Sequence, residues 1–313
     1  LGGGMAPMDH ADMDSMGGMT MTPGTTEGEP AAGSMDHAAM GHGDGPPHLN
    51  DVEYDAYLAN DRSLADPEVV PVEAGGRVRL RIINGSASTN FMIDLGALDG
   101  TLVAVDGHSV VQVAGRRFPL AIAQRADIRL KLPAGAWPIL ARREGDTAQT
   151  GVILATPGAA IAKLPERGAD AIGAIGLDLE ARLVAATPLA AKPAGRRLLL
   201  ELNGSMMPFV WTLNGAQFGA HTPLAIAAGE RVHVEMLNAT DMAHPMHLHG
   251  HVFQVVAIDG APLRGALRDT VLVPVGGRIT IAFDADNPGH WALHCHNLYH
   301  MAAGMMTSLR YES

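Results

Sequence analysis

The feature that most restricts the fold is an internal repeat. Gly76-Arg-Val-Arg-Leu-Arg-Ile-Ile-Asn84 aligns with Glu230-Arg-Val-His-Val-Glu-Met-Leu-Asn238, 154 positions later. Val103-Ala-Val-Asp-Gly107 aligns with Val256-Ala-Ile-Asp-Gly260, and Gly135-Ala-Trp137 with Gly289-His-Trp291. Self-similarity of this kind means that one structural unit is used twice. The run from Arg77 to Ile82 alternates charged and apolar residues, the period of a half-buried strand. Gly- and Pro-containing turns punctuate the chain as far as residue 157. The expectation is therefore an all-β chain with two copies of one β-sandwich.

The copies set the expected domains: a flexible segment at 1–50, one sandwich at 51–157, a linker at 158–197 and a second sandwich at 198–313. Val52 to Leu58 and Glu68 to Val72 read as edge strands, and Leu177 to Val184 as a short helix. Residues 1–49 contain eight of the 17 methionines, seven acidic residues and no Lys or Arg. Met8-Asp9-His10 recurs there as Met35-Asp36-His37, followed by Met40-Gly41-His42. Without apolar periodicity such a segment is expected to be disordered.

That acidic segment leaves only −4 of the net −11 for the rest of the chain. No basic patch with interleaved aromatics is present, which argues against a nucleic-acid partner. No apolar run reaches the 18 residues or more of a membrane span. The first residue is Leu and no signal peptide is visible, so the chain is expected to begin after processing or truncation. A single cysteine allows no internal disulfide.

The chemistry concentrates in two histidine-rich stretches. His290 to Met306 holds Cys295, flanked by His294 and His296 and followed by His300 and Met305. Two imidazoles and a thiolate in a plane, with a long axial thioether, make a blue electron-transfer copper site. Trp291 to His296 reads as a strand, on which alternate side chains face opposite ways. Cys295 then faces one side, and His294 and His296 the other. In His244-Pro-Met-His247-Leu-His249-Gly-His251, His247 and His249 share a face and His244 has the opposite parity. If the two strands are neighbours, one side gathers His244, Cys295, His300 and Met305. The other gathers His247, His249, His294 and His296, four imidazoles suited to two or more coppers but open on one side.

His251 is expected to support the ligands rather than join them. His108, His221, His233 and His290 lack partners at ligand spacing. Asp241, Met242 and Met246 could dock a copper ion or serve as turn and core residues, and Asp269 could place an acidic group near the site. In the first copy Ala141 stands opposite Cys295, and Leu140 and Arg142 stand opposite His294 and His296. Asn90, Ile93 and Leu95 stand opposite His244, His247 and His249. That copy keeps the scaffold without the ligands.

The pair His-Pro-x-His-x-His-Gly and His-Cys-His-x3-His-x4-Met resembles the two C-terminal copper motifs of the multicopper oxidases, the laccase-like family. The resemblance covers residues 51–313 as the second and third cupredoxin domains of a three-domain enzyme. It implies two cupredoxin-like Greek-key β-sandwiches. The Met- and His-rich segment and Tyr54-Asp-Ala-Tyr-Leu-Ala-Asn60 look like the bacterial copper-resistance, CopA-type branch. The resemblance implies type 1 copper on His244, Cys295, His300 and Met305. It implies type 2 copper on His247, and the type 3 pair on His249, His294 and His296. The family cluster takes eight histidines, four of them from two His-x-His motifs in the first domain. No such motif precedes residue 244, and His10, His37, His42 and His48 have the wrong spacing. An absent N-terminal cupredoxin domain, or another chain, must then complete the cluster.

The implied activity is oxidation of a reductant, Cu(I) or a phenol, coupled to four-electron reduction of O2 to water. Cys295, His294 and His296 would carry the electron path, in a periplasmic protein of copper tolerance, inactive as this chain alone. The thioethers of the N-terminal segment suit Cu(I). The alternative is a copper-binding or electron-transfer protein without oxidase activity. A copper nitrite reductase also has a type 1 site and two such units. It does not, however, pair His on both sides of the Cys with His-x-His-Gly in one unit.

Overall fold

The computed structural model describes residues 49–312. The Met- and His-rich segment, up to residue 48, lies outside them. In the first half, nine strands form: β1 (Val69–Pro71), β2 (Arg77–Ile83), β3 (Phe91–Asp94), β4 (Gly100–Val105), β5 (His108–Gly115), β6 (Arg117–Leu120), β7 (Arg125–Lys131), β8 (Ala136–Arg143) and β9 (Gln149–Ala155). They make two sheets, β1-β9-β8-β3-β6 and β2-β7-β4-β5. The second half contains β10 (Arg196–Met206), β11 (Phe209–Leu213), β12 (Leu224–Ala227), β13 (Arg231–Asn238), β14 (His244–Leu248), β15 (Phe253–Ile258), β16 (Ala261–Pro262), β17 (Leu267–Arg268), β18 (Thr270–Val273), β19 (Arg278–Asp284), β20 (His290–Cys295) and β21 (Met306–Glu312). Its sheets run β12-β21-β20-β14-β18 and β11-β10-β13-β19-β15-β16, with β17 also on β15.

The repeat read from the sequence is present in the strands from β1 to β9 and from β12 to β21, while β10 and β11 have no counterpart strand among the described residues. β1 and β12 each pair in parallel with the last strand of their unit, β9 and β21. β4 and β15 even carry a register irregularity at the same place, between Leu102 and Ala104 and between Val255 and Ala257. After β2 and β13 the same turn recurs. Asn84 and Asn238 each send a side-chain amide to a carbonyl of the loop that follows, Thr89 and Met242, and to the last carbonyl of a neighbouring strand, Leu120 of β6 and Val273 of β18.

Register also corrects the sequence alignment by one residue. Ile93 pairs with Ala141 as Met246 pairs with Cys295. Phe91, Asp94 and Gly96 therefore stand opposite His244, His247 and His249, in place of Asn90, Ile93 and Leu95. Residues 52–58, expected as an edge strand, form none, and the helix expected at Leu177 to Val184 is a single 3-10 turn at Glu180–Arg182. The segment 158–197 is irregular, but backbone bonds tie it down. Gly145 N donates to Ile172 O at 2.7 Å and Ala186 N to Ser109 O at 2.9 Å.

Each sandwich closes on its own apolar core. Phe118, Leu102 and Ile128 lie at the centre of the first, and Trp211, Phe253 and Phe283 at the centre of the second. Buried charge joins them: Arg268, beside β18, reaches Asp106 at 3.0 Å and Glu180 at 2.9 Å. Arg125 of β7 grips both carboxylate oxygens of Asp269. An ion pair of this depth specifies an arrangement more than it adds stability, because desolvation offsets most of the attraction.

Gly250 follows His249 with φ +68°, and a Cβ there would meet the Trp291 ring at 2.3 Å. The glycine of His-x-His-Gly thus combines a left-handed turn with a close aromatic contact. Gly250→Ala is expected to lower unfolding free energy by about 1–3 kcal/mol through overpacking. Gly260→Ala shares the positive φ, at +79°, but meets nothing within 4 Å. Denaturant melts of the two variants should show the larger loss at Gly250.

Candidate metal centre

The site is built on the pairing of β14 with β20. They run antiparallel, with Met246 opposite Cys295 and His247 opposite His294. Residues directly opposite share a face. Cys295 and Met246 therefore turn into the sandwich, and His294 and His247 turn out of it. His244, two residues before Met246, joins Cys295. The parity read from the sequence holds.

His300 reaches the inner side through one short helix. Asn297 accepts a hydrogen bond from the Tyr299 amide at 3.1 Å, and caps α1 (Leu298–Ala302) as Asn does at helix starts. The turn swings His300 back over Cys295. Gly304, at φ +114°, then returns the chain into β21. Cys295 N donates to Met305 O at 3.0 Å, which sets Met305 beside the thiol residue. His244, Cys295, His300 and Met305 are all fully buried.

Three donor atoms converge on one point. His244 Nδ1 and His300 Nδ1 are 3.0 Å apart, and each is 3.7 Å from Cys295 Sγ. The far nitrogen of each ring is occupied. His300 Nε2 donates to the Asp51 carboxylate at 3.0 Å, and His244 Nε2 lies 2.7 Å from Thr240 Oγ1. Thr240 Oγ1 is placed to donate to Asn238 Oδ1 at 2.8 Å, so it accepts from His244. Both Nδ1 atoms then present lone pairs toward each other and toward sulfur. Burial holds His244 well below the usual imidazole range, with His300 adding to the effect. Burial also pushes the Cys295 thiol up, and the Asp51 charge acts in the same direction. Two facing lone pairs beside a buried sulfur are relieved by a cation between them, and a cation there would also favour the thiolate over the thiol. A buried set of two imidazoles, a thiolate and a thioether fits copper.

Trp211 roofs this group. Its ring stacks on His300 at 3.9 Å between centroids and meets His244 edge-on at 5.3 Å. Asp51, Thr240 and Trp211 escape a sequence reading. Asp51 lies 249 positions from His300 with no pattern joining them, and the other two read as turn and core.

The outer side gathers His247, His249, His294 and His296. His249 Nε2 is 3.0 Å from His294 Nε2, and the His247 ring centre lies 4.8 Å from that of His249 and 5.7 Å from that of His296. His247 Nδ1 donates to Asp269 O at 2.8 Å and His294 Nδ1 to Cys295 O at 2.9 Å. Those bonds fix the tautomer and leave Nε2 of both rings as acceptors, as a carbonyl behind a metal-binding histidine does. His296 Nδ1 is buried without a hydrogen-bond partner. Burial, above all, lowers His294 to about 4 and lowers His247 as well, so both are neutral near pH 7. His249 is exposed, and His247 and His296 are half-buried, so this side is open.

The remaining candidates fall outside both groups. His251 lies 2.6 Å from the Tyr311 hydroxyl and packs on Phe283. His221 bonds Ser308, and His233 lies beside Arg197. Met242 and Met246 are buried in the core, so their sulfurs form no surface dock for a metal ion. Asp269 is held by Arg125 and Thr270, and its contact with His247 runs mainly through its backbone carbonyl. In the first sandwich the register places Phe91, Ala141 and Thr150 where His244, Cys295 and Met305 stand.

The Asp51 bond gives a direct test of the inner group. The buried carboxylate makes His300 a stronger donor to a cation. Asp51→Asn is expected to weaken copper binding about 10- to 100-fold. It should also raise the reduction potential of the bound copper. Chelator competition and redox titration of the copper-loaded chain measure both.

Comparison with known proteins agrees with this geometry. Family models described as multicopper oxidase match residues 30–162 and 192–313. Multicopper oxidase MmcO of Mycobacterium tuberculosis (strain ATCC 25618 / H37Rv) is 35% identical over 287 residues, covering 91% of this chain and 55% of that protein. A copper resistance protein A homolog of Pseudomonas syringae pv. tomato is 26% identical, covering 76% of this chain and 55% of that protein. The chain thus spans about half the length of these relatives. Among solved structures, Fet3p, a multicopper oxidase that functions in iron import, has a TM-score of 0.69 at 17% identity, covering 82% of this chain and 59% of that one. The laccase from Botrytis aclada has a TM-score of 0.64 at 23% identity, covering 79% and 53%. The two sandwiches are thus cupredoxin-like, and the chain belongs to the multicopper oxidase family.

Proposed function

We propose that this chain is the part of a multicopper oxidase that takes electrons from a reductant and passes them toward the O2-reducing cluster. The observation that carries this reading is the opposed orientation of Cys295 and its two neighbours. His244, Cys295, His300 and Met305 would hold the type 1 copper. His247 would hold the type 2 copper, and His249, His294 and His296 the type 3 pair. Copper in these places would supply one-electron exchange on the inner side and four-electron reduction of O2 to water on the outer side.

The chain's own residues account for the coupling. Cys295 is joined by peptide bonds to His294 and His296, so sulfur and outer imidazoles share a covalent path. Trp211, Phe209 and the buried core exclude water from the thiolate. Asp51 and Thr240 orient the inner imidazoles, and the carbonyls of Asp269 and Cys295 orient two of the outer ones. His244, His247 and His294 stay neutral near pH 7 and keep their lone pairs.

The copper-resistance names of relatives support Cu(I) as reductant; a phenol is the other reductant class we propose, and the periplasm the location. No helix among the described residues is long and apolar enough to cross a membrane. Residues 51–157 and 198–313 serve as the two cupredoxin domains, with 158–197 between them. Among the described residues only four histidines line the outer side, half of the family's eight. An N-terminal cupredoxin domain or another chain is the partner that would complete it. The same observation favours a second reading for the chain alone, a copper-binding electron-transfer protein without oxidase activity.

Copper counting with O2 uptake separates the two. The chain alone should bind one tightly held blue copper and consume no O2. Joined to the N-terminal portion of a relative, it should bind further copper and consume O2 with water as product. A joined protein that binds the extra copper without consuming O2 would overturn the oxidase reading. Met305→Leu should keep the blue band and raise the reduction potential, because a thioether that stabilises the oxidised ion is removed. Loss of colour or of copper in that variant would remove Met305 from the axial position.

A further inference from the structure

Asp51 stands behind a ligand ring, yet no sheet fixes it there. Residues 51–58 form no strand, so the place of the carboxylate depends on the bonds that its own oxygens make. Among the described residues its ion pair is with His300, and no Lys or Arg joins it. The second grip comes from Asn297. His300 Nε2 donates to Asp51 Oδ1, and Asn297 Nδ2 donates to Asp51 Oδ2. The two donors are 3.5 Å apart, so they meet the carboxylate side by side, one on each oxygen. Asn297 is buried, and water does not compete for the bond.

The orientation of the Asn297 amide is set by its other end. Oδ1 accepts from Tyr299 N at 3.1 Å, which leaves Nδ2 for the carboxylate. The reverse orientation would turn oxygen toward carboxylate and NH2 toward N–H, two repulsions in place of two bonds. Asn297 serves the inner group twice more. It caps α1, which carries His300. Burial pushes the Cys295 thiol up, and the backbone N–H of Asn297, a donor to that sulfur, acts against it. The backbone bond does not depend on the side chain, and Ser or Thr also caps a helix. The bond to Asp51 is different. Among the good caps, only Asn carries an acceptor and a donor on separate side-chain atoms.

We propose that Asn297 is a positioning residue for the type 1 copper, and that it sets the reduction potential of that ion by holding Asp51 against His300. The carboxylate places negative charge behind a ligand ring and favours Cu(II) over Cu(I). With one bond instead of two, on backbone that no strand fixes, Asp51 leaves His300 part of the time and Cu(II) loses that support. The inference rests on the inner group holding a blue copper.

The test uses the whole chain loaded with copper, as wild type, Asn297→Ser, Asp51→Asn and the double variant. Blue absorbance and copper content are measured first. Redox titration then gives the Cu(I)/Cu(II) ratio at a fixed solution potential. Asn297→Ser keeps a cap and the backbone N–H and removes the donor to Oδ2. It should move the ratio toward Cu(I) about three- to tenfold, below the effect of about 10- to 100-fold for a direct partner of a ligand. In the Asp51→Asn background the same substitution should move it by less than about twofold, because the group it acts through is gone. No shift in the single variant would overturn the proposal, and so would a shift toward Cu(II). An equal shift with and without Asp51 would assign the effect to the cap or the sulfur and overturn it as well. Asn297→Thr, a second cap without the amide, must move the ratio in the same direction and is read in place of Ser if that variant loses its colour. A wild-type chain without blue absorbance would instead overturn the reading on which the proposal rests, and the absorbance alone tells the two failures apart.

Discussion

The register of β14 against β20 is the constraint on which the rest of the site depends. A sheet side chain has only two directions, and a slip of one residue exchanges them. With Met246 opposite Cys295, sulfur enters a dry core and the flanking imidazoles leave it. With the opposite parity, the thiolate would face the open side and two histidines would need partners among Val234, Phe253 and Ile281. The apolar core therefore fixes the chemistry. Residues that bind no metal decide which side each ligand serves.

The ligand pattern was legible because parity is a property of sequence. Cys295 between His294 and His296, and His247 two residues from His249, allow one division into faces once the strands are neighbours. The repeat was legible for the same reason, and it predicted two copies of one sandwich, in which Glu68 to Val72, Arg77 to Ile82 and Trp291 to His296 read as strands. What escaped was set by distant packing. Asp51 meets His300 only because residues 51–58 leave the sheet and cross the helix that carries His300. Its neighbour Tyr54 bonds Tyr299 on that helix. The apolar residues at 52–58 suggested a strand, yet none of the described strands pairs with them. The alignment slipped by one residue at β3 because a loop of different length follows Asn84, which a comparison of short similar stretches does not register.

The two sides of β20 differ in physical character as well as in ligands. Inside, every donor is buried and each imidazole is held at its far nitrogen, by Thr240 or Asp51. Outside, His249 is exposed and His296 has a buried nitrogen with no partner. A rigid, dry inner group favours small reorganisation during electron exchange, and an open outer group leaves room for ligands from elsewhere. The contrast follows from a strand lying between a packed core and an unfilled face.

The grip of Arg125 on Asp269 and the reach of Asp51 to His300 both come from the sandwich that has no ligands of its own. One contact sits behind an outer histidine, the other behind an inner one. Within that copy Phe91, Ala141 and Thr150 stand at the positions of His244, Cys295 and Met305, while Asp51 and Arg125 reach out to the second copy. The copy without ligand side chains is thus a frame whose displacement would be felt at both groups together.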